Sequence, residues 1–404
     1  MTTHKWQFPP RFRRNTFGWT SQQPISRIKE AVSEIKRVAR KDPVLGAEGA
    51  VLFLEKIAPA IARVDASSGA ISTAVNHAIE TLVHLIAKAE VERARRERWL
   101  QRLWLALRQD SMPYLELMGH FWGELCVTSE LASSWADQLK APLEQVWRHN
   151  AAGGHAFFKG GTACLSALYS AGRHSELLAL LESAHPRLWH YRQWGAMALA
   201  AGGRHAEAIR YAEDSRGLTA PPAAIARFCE RVLLDAGLAD EAYARYALDA
   251  CDGATRSSIF RCVVKKYPQR APETILNDLV ASQPGQEGKW FATAKNCGLF
   301  KLAVELAQRS ATDPRTLIRA SRDFALERPS FALAVGMTAL RGIARGEGDA
   351  VSGTEVLDAY AASLRAAAAG GVQPAAVNAD IRAIIAGAGR GGEFVQRVLG
   401  PRLG

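Results

Sequence analysis

Nowhere in this chain of 404 residues do about 18 uncharged apolar residues follow one another, so no membrane-spanning helix is expected. The N-terminal residues include no apolar stretch of the signal-peptide kind, and a cytoplasmic location is the expectation. The six cysteines, at 126, 164, 229, 251, 262 and 297, form no Cys-x-x-Cys pair. Each sits in an apolar helical pattern, where cysteine acts as a small hydrophobe. Reduced, buried thiols are expected, and neither a disulfide frame nor a metal site. Alternating strand-type runs are almost absent, which leaves a nearly all-α chain. A serine nucleophile elbow, a zinc-protease pattern, a dinucleotide fingerprint and the kinase set are missing too. No pattern therefore names a reaction, a catalytic residue or a cofactor.

Two near-matches are set aside on chemical grounds. Lys159-Gly160-Gly161-Thr162 has its lysine ahead of the glycines and no strand before it, whereas a phosphate loop needs the reverse order after a strand. His77, Glu80 and His84 share a helix face, but nothing in the chain suggests the fourth ligand a structural zinc needs. A polar helix surface, or side chains partnered by an adjacent helix, is the expected reading there.

What is present begins with charge. The net charge of +11 is uneven. Residues 1–41 hold ten Lys or Arg against two Glu, a balance of +8. Residues 88–109 hold seven basic against three acidic residues, +4, and the remainder is −1. The excess positive charge is thus N-terminal, and a whole-chain isoelectric argument would misplace it.

Residues 1–23 read as a basic aromatic arm, with Trp6, Phe8, Phe12, Phe17 and Trp19 beside Arg11, Arg13 and Arg14. Disordered tails are poor in aromatics. Either the rings dock on the body and the arginines stay solvated, or the arm contacts phosphates, bases or an acidic protein. A basic amphipathic helix follows over 24–41, with Ile25, Ile28, Val32, Ile35 and Val38 inward and Arg27, Lys29, Lys36, Arg37 and Lys41 outward. Arg11, Arg13, Arg14, Lys36, Arg37, Arg95 and Arg96 are the candidate anion-binding residues. Further helices fill the region to 150, and Asn150 to Gly154 reads as a joint.

From 157 to 341 the chain repeats. Copies start at Gly172, Gly203, Gly237 and Gly298, spaced by 31, 34 and 61 residues, the last near two periods. Five positions on stand Leu177, Ala208, Ala242 and Ala303; six on, Leu178, Ile209, Tyr243 and Val304; nine on, Leu181, Ala212, Tyr246 and Ala307. These offsets share one helix face. The glycine sits where a preceding helix would end in a left-handed residue. The missing turn of the double period should fall near Tyr267-Pro268 with a restart at Pro272, and a weaker copy begins at Pro329. Two-helix units of this length must stack on their neighbours.

The segments 201–215 and 236–250, each a turn glycine followed by Glu-Ala and an apolar pair, resemble the tetratricopeptide-repeat class of helical hairpins. Trp194-Gly195 is only a fragment of that family's first-helix pattern. The expected architecture is an all-α, right-handed α-solenoid of such hairpins over 151–345. The basic helical region 24–150 precedes it, and C-terminal helices with a flexible end at 346–404 follow. The resemblance implies a scaffold for a protein or peptide partner. Trp189 to Trp194 and the stretch around Lys289 fall on first helices, which often line a solenoid's concave face. His190, Arg192, Trp194, Lys289, Trp290 and Lys295 are therefore the candidate groove. The tryptophans could equally be core, whereas core packing gives no reason for the polar four. The alternative function is nucleic-acid binding, DNA or RNA, through the basic N-terminal region. A helical-repeat DNA glycosylase would also need an Asp–Trp constellation, which the sequence does not display.

Overall fold

The computed structural model describes residues 4–217, 222–348 and 350–403, and every regular element among them is helical. The chain divides into two compact units, Met1–Val232 and Leu233–Gly404. The first holds α1 (Gln22–Ala39), α2 (Pro43–Ile61), α3 (Ala70–Lys88), α4 (Arg93–Gln109), α5 (Trp122–Cys126), α6 (Ser129–Ala151), α7 (Gly161–Ser170), α8 (His174–Glu182), α9 (Trp189–Ala201) and α10 (His205–Glu213). The division falls inside α11 (Pro222–Asp235). The second unit holds α12 (Ala239–Ala250), α13 (Arg256–Lys266), α14 (Pro272–Ala281), α15 (Phe291–Asn296), α16 (Phe300–Arg309), α17 (Pro314–Phe324), α18 (Pro329–Ala344), α19 (Gly353–Ala369), α20 (Pro374–Ala386) and α21 (Arg390–Leu403).

Helices pack on the next helix and on the next but one. In the first unit α1 meets α2 and α3, α2 meets α3 and α4, and α7 meets α8 and α9. In the second α13 meets α14 and α15, and α17 meets α18 and α19. This is the packing of an α-solenoid, in which no hairpin hides its apolar flank alone.

The repeat turns close as the glycine spacing predicts. Gly172, Gly203, Gly237 and Gly298 have φ of 72°, 74°, 77° and 76°, a region open to glycine at no steric cost. The next residue's amide reaches back across each turn to a carbonyl of the ending helix: Arg173 to Leu168 at 3.0 Å, Arg204 to Leu199 at 2.9 Å, Leu238 to Leu233 at 2.8 Å and Leu299 to Ala294 at 3.0 Å. That satisfies orphan carbonyls within the main chain. The restart at Pro272 and the helix from Pro329 are both present. Positions five and nine after each glycine are buried in all four copies. Position six differs, since Leu178 and Val304 are only half-buried. The helical step swings that position to the edge of the inward face.

The first unit has one continuous core, running from Phe8 to Ala198 across the expected joint at 150–154. Phe8, Phe12 and Phe17 of the N-terminal arm belong to it. The Phe12 ring lies 5.1 Å from Phe53 of α2 and 5.6 Å from Phe17, edge to face. Trp6 lies against Gly49 of α2, where a Cβ would come within 2.2 Å of the indole.

The cysteines depart from the expected set of reduced, buried thiols. Cys251, at the end of α12, is bonded to Cys262 of α13 with a Cα–Cα separation of 6.0 Å, and Cys297 is exposed. The bonded pair stand eleven positions apart with a turn between them, so no short motif marks it.

Two measurements check this description. Nothing surrounds the Cβ direction of Gly203, so Gly203→Ala isolates the backbone cost and should lower stability by about 1–2 kcal/mol in urea melts. Gly203→Asn should cost less. Peptide mapping without reductant should recover the 251–262 linkage. Opening so short a loop should cost the second unit up to about 3 kcal/mol.

Candidate functional site

The cationic surface of the first unit is made by α1 and the segment before it. Ile28, Ile35 and Val38 are buried, which turns the opposite face of α1 to solvent. Both glutamates of residues 1–41 are engaged internally. Glu30 accepts from Arg27 at 2.7 Å and from Arg11 at 2.8 Å. The Arg27 hydrogen bond, with the charges of Arg27 and Arg11, holds the Glu30 carboxyl below its ordinary range. Glu34 accepts from the Gln7 amide at 2.8 Å. Lys5, Arg13, Arg14, Lys29, Lys36, Arg37, Arg40 and Lys41 are exposed, and none has an ion-pair partner among the described residues. An open cleft of about 640 Å³ lies on this surface, with Arg11, Arg27, Lys29 and Arg37 on its walls beside Glu30 and Glu34. Trp19 is 73% exposed, and its carbonyl is pinned by the Asp65 amide at 2.9 Å.

The two arginines singled out on α4 separate. Arg95 is exposed. Arg96 is buried and donates to the carbonyls of Ile86, Ala87 and Ala89, closing the C-terminal end of α3. Burial lowers its pKa, and its guanidinium is engaged by these carbonyls rather than turned to solvent. The positive charge of α4 is also partly compensated. Arg93 pairs with Glu97 at 2.8 Å, and Arg102 bridges Glu48 at 2.6 Å and Glu55 at 2.7 Å.

The six groove candidates fall in different units, three in each. Arg192 is buried: its Nε donates to Ser215 Oγ at 2.6 Å and its guanidinium lies 3.9 Å from the centre of the Tyr211 ring. Trp194 and Trp290 are buried at 5% and 0% exposure. His190 is half-buried. Lys289 is exposed and donates to Gln286 at 3.1 Å. Lys295 is half-buried, 5.8 Å from the centre of the Phe324 ring.

Sequence reading missed the neighbours of Trp194. His120, from the turn before α5, places its ring 5.9 Å away, and Tyr169 of α7 places its own at 5.9 Å on a tilted approach. Tyr169 in turn stacks on His174 at 5.2 Å. Burial pushes the pKa of His120 down, and burial plus the proximity of His120 does the same for His190. No spacing rule joins position 120 to 194, because the fold alone brings them together.

The set-aside motifs have structural partners. His84 pairs with Glu124 at 2.6 Å rather than with its own helix, and the described residues include no metal-binding group. Lys159 donates to the carbonyls of Arg108 and Asp110 at the end of α4. No described helix is long and apolar enough to cross a membrane.

No family model matches the chain, and no curated protein does. Among solved structures it is similar to a circular tandem repeat protein with novel repeat topology and enhanced subunit contact surfaces. That match has 14% identity, covers 93% of this chain and 81% of the other, and has a TM-score of 0.15. A superposition that loose carries no argument.

The histidines make stability depend on pH. A folded-state pKa below the ordinary 6.5 means the unfolded chain takes the proton first, so stability falls as pH drops through about 6.5. Glu116, raised by burial, works in the opposite sense, closer to its own ordinary value of 4.5. Denaturant melts between pH 7 and pH 5.5 should show the first unit weakening, and His120→Gln should reduce the dependence.

Proposed function

We propose that this chain is a non-catalytic helical-repeat scaffold that holds a nucleic-acid strand, DNA or RNA, on the cationic face of its N-terminal helices. The observation that carries the reading is the set of exposed cations over residues 5–41 without carboxylate partners, beside two glutamates already engaged internally. Unpaired cations on a rigid helix face replace condensed counterions along a phosphate backbone, and the released ions drive binding. The exposed Trp19, five residues after Arg14 in the chain, adds a stacking surface of the kind single strands use. α2 and α3 pack against α1 and hold this face in place.

A protein or peptide partner on the repeats is the second reading. It rests on His190, Lys289 and Lys295, which keep polar surface on their first helices. The cationic reading is preferred because Arg192, Trp194 and Trp290 are committed to packing. A cytoplasmic setting belongs to the same proposal. A disulfide met there, such as Cys251–Cys262, is as a rule transient or redox-sensing.

Fluorescence anisotropy with labelled DNA and RNA, single-stranded and duplex, tests the reading. Affinity should fall steeply as salt rises, with a log–log slope near −0.9 for each duplex phosphate neutralised. Lys36→Glu with Arg37→Glu should weaken binding by about tenfold or more and flatten the slope by roughly two. Trp19→Ala should weaken single-strand binding more than duplex binding. Absence of binding in low salt, or an affinity indifferent to the charge reversal, removes the proposal.

A further inference from the structure

We infer that the cleft between α16 and α18, in the second unit, is a site for a small phosphate-bearing anion. Arg309 ends α16, while Arg341 and Arg345 stand one turn apart at the end of α18. All three line a cleft of about 560 Å³, together with Gln308, Ser310 and Glu347.

The bland account of arginines at helix ends is that they cap the last carbonyls and complement the helix dipole. Capping does not describe α18. Its final carbonyls are already closed by main-chain amides: Glu347 donates to Gly342 at 2.9 Å, Gly346 to Ile343 at 2.9 Å, and Arg345 to Arg341 at 3.1 Å. No described hydrogen bond is made by any of the three guanidiniums. The carboxylates nearest them are loosely placed. Glu347 is 4.0 Å from Arg345, and Glu305 is 3.8 Å from Arg309, both beyond hydrogen-bonding distance. Glu287 also feels the charge of Arg309. Arg341 is half-buried and has no carboxylate partner among the described residues. Arg341 and Arg345 also border a second cleft of about 480 Å³ towards α20, and Asp380 on its wall pairs with neither.

Three guanidinium forks line one cleft against a single lining carboxylate, Glu347, so a net positive charge remains there for an anion to offset. The forks match the oxygens of phosphate, which they hold through paired hydrogen bonds. The walls are mainly polar, so the cleft has no bed for a large apolar group. Its volume suits a phosphate or pyrophosphate group on a small carrier. The site belongs to a different unit from the N-terminal cationic face and does not depend on it.

Calorimetry and thermal melting of the full chain with pyrophosphate as the probe, at constant ionic strength, test the site. Saturable binding and a raised melting temperature are expected, with chloride and sulfate giving much less. Arg341→Gln should weaken pyrophosphate binding by about tenfold or more. Arg397→Gln, an exposed arginine elsewhere in the same unit, should change nothing. Circular dichroism checks that Arg341→Gln is folded, and Arg309→Gln supplies the same comparison if it is not. Equal responses of Arg341→Gln and Arg397→Gln overturn the site, as does sulfate matching pyrophosphate, or no binding. Oligonucleotide affinity that falls in Arg341→Gln while pyrophosphate fails to bind also overturns it, in favour of a backbone contact. The Lys36/Arg37 reversal should leave pyrophosphate binding intact, which separates this site from the nucleic-acid proposal.

Discussion

Helices of nine to thirteen residues, such as α8, α9 and α10, are too short to be stable alone in water. Each must be held in register with its neighbours before its apolar face contributes anything. The constraint that achieves this is the main-chain closure at each left-handed glycine. It ends one helix, reverses the chain and starts the next within a few residues. Because only backbone groups take part, the turn works with leucine, alanine or tyrosine on the following helix. Around these turns the packing order follows from that local reversal.

The same logic explains what could be read from sequence. The turn glycines and the small or apolar residues at offsets five and nine are local features, so their spacing revealed hairpins and stacking directly. Thr255 and Asp313 also cap the helices that follow them, through side-chain bonds to backbone amides two or three residues on. The pairing of Cys251 with Cys262 was not legible, because it depends on where one hairpin's end meets the next helix. The ring cluster of His120, Tyr169 and Trp194 was hidden for a similar reason, as its members come from three separate elements.

Candidate site residues divided by environment rather than by type. Arginine is drawn to helix ends as readily as to ligands, and sequence gives both roles the same letter. Arg96 closes α3, Arg192 ties Ser215 and stacks on Tyr211, while Arg13, Arg14 and Arg37 face water. Net charge placed the positive excess correctly along the chain. Only the partners of Glu30 and Glu34 show which cations remain uncompensated on the surface.

The lodging of the leading aromatic residues in the interior alters how the N-terminal segment can be handled. Shortening the chain by its first 23 residues would withdraw three phenyl groups from a filled interior and leave Phe53 facing a void. Such a shortened protein would report collapse of the first unit and say little about the cations removed with it. A bulky tag fused close ahead of Trp6 would press on the indole in its notch beside Gly49.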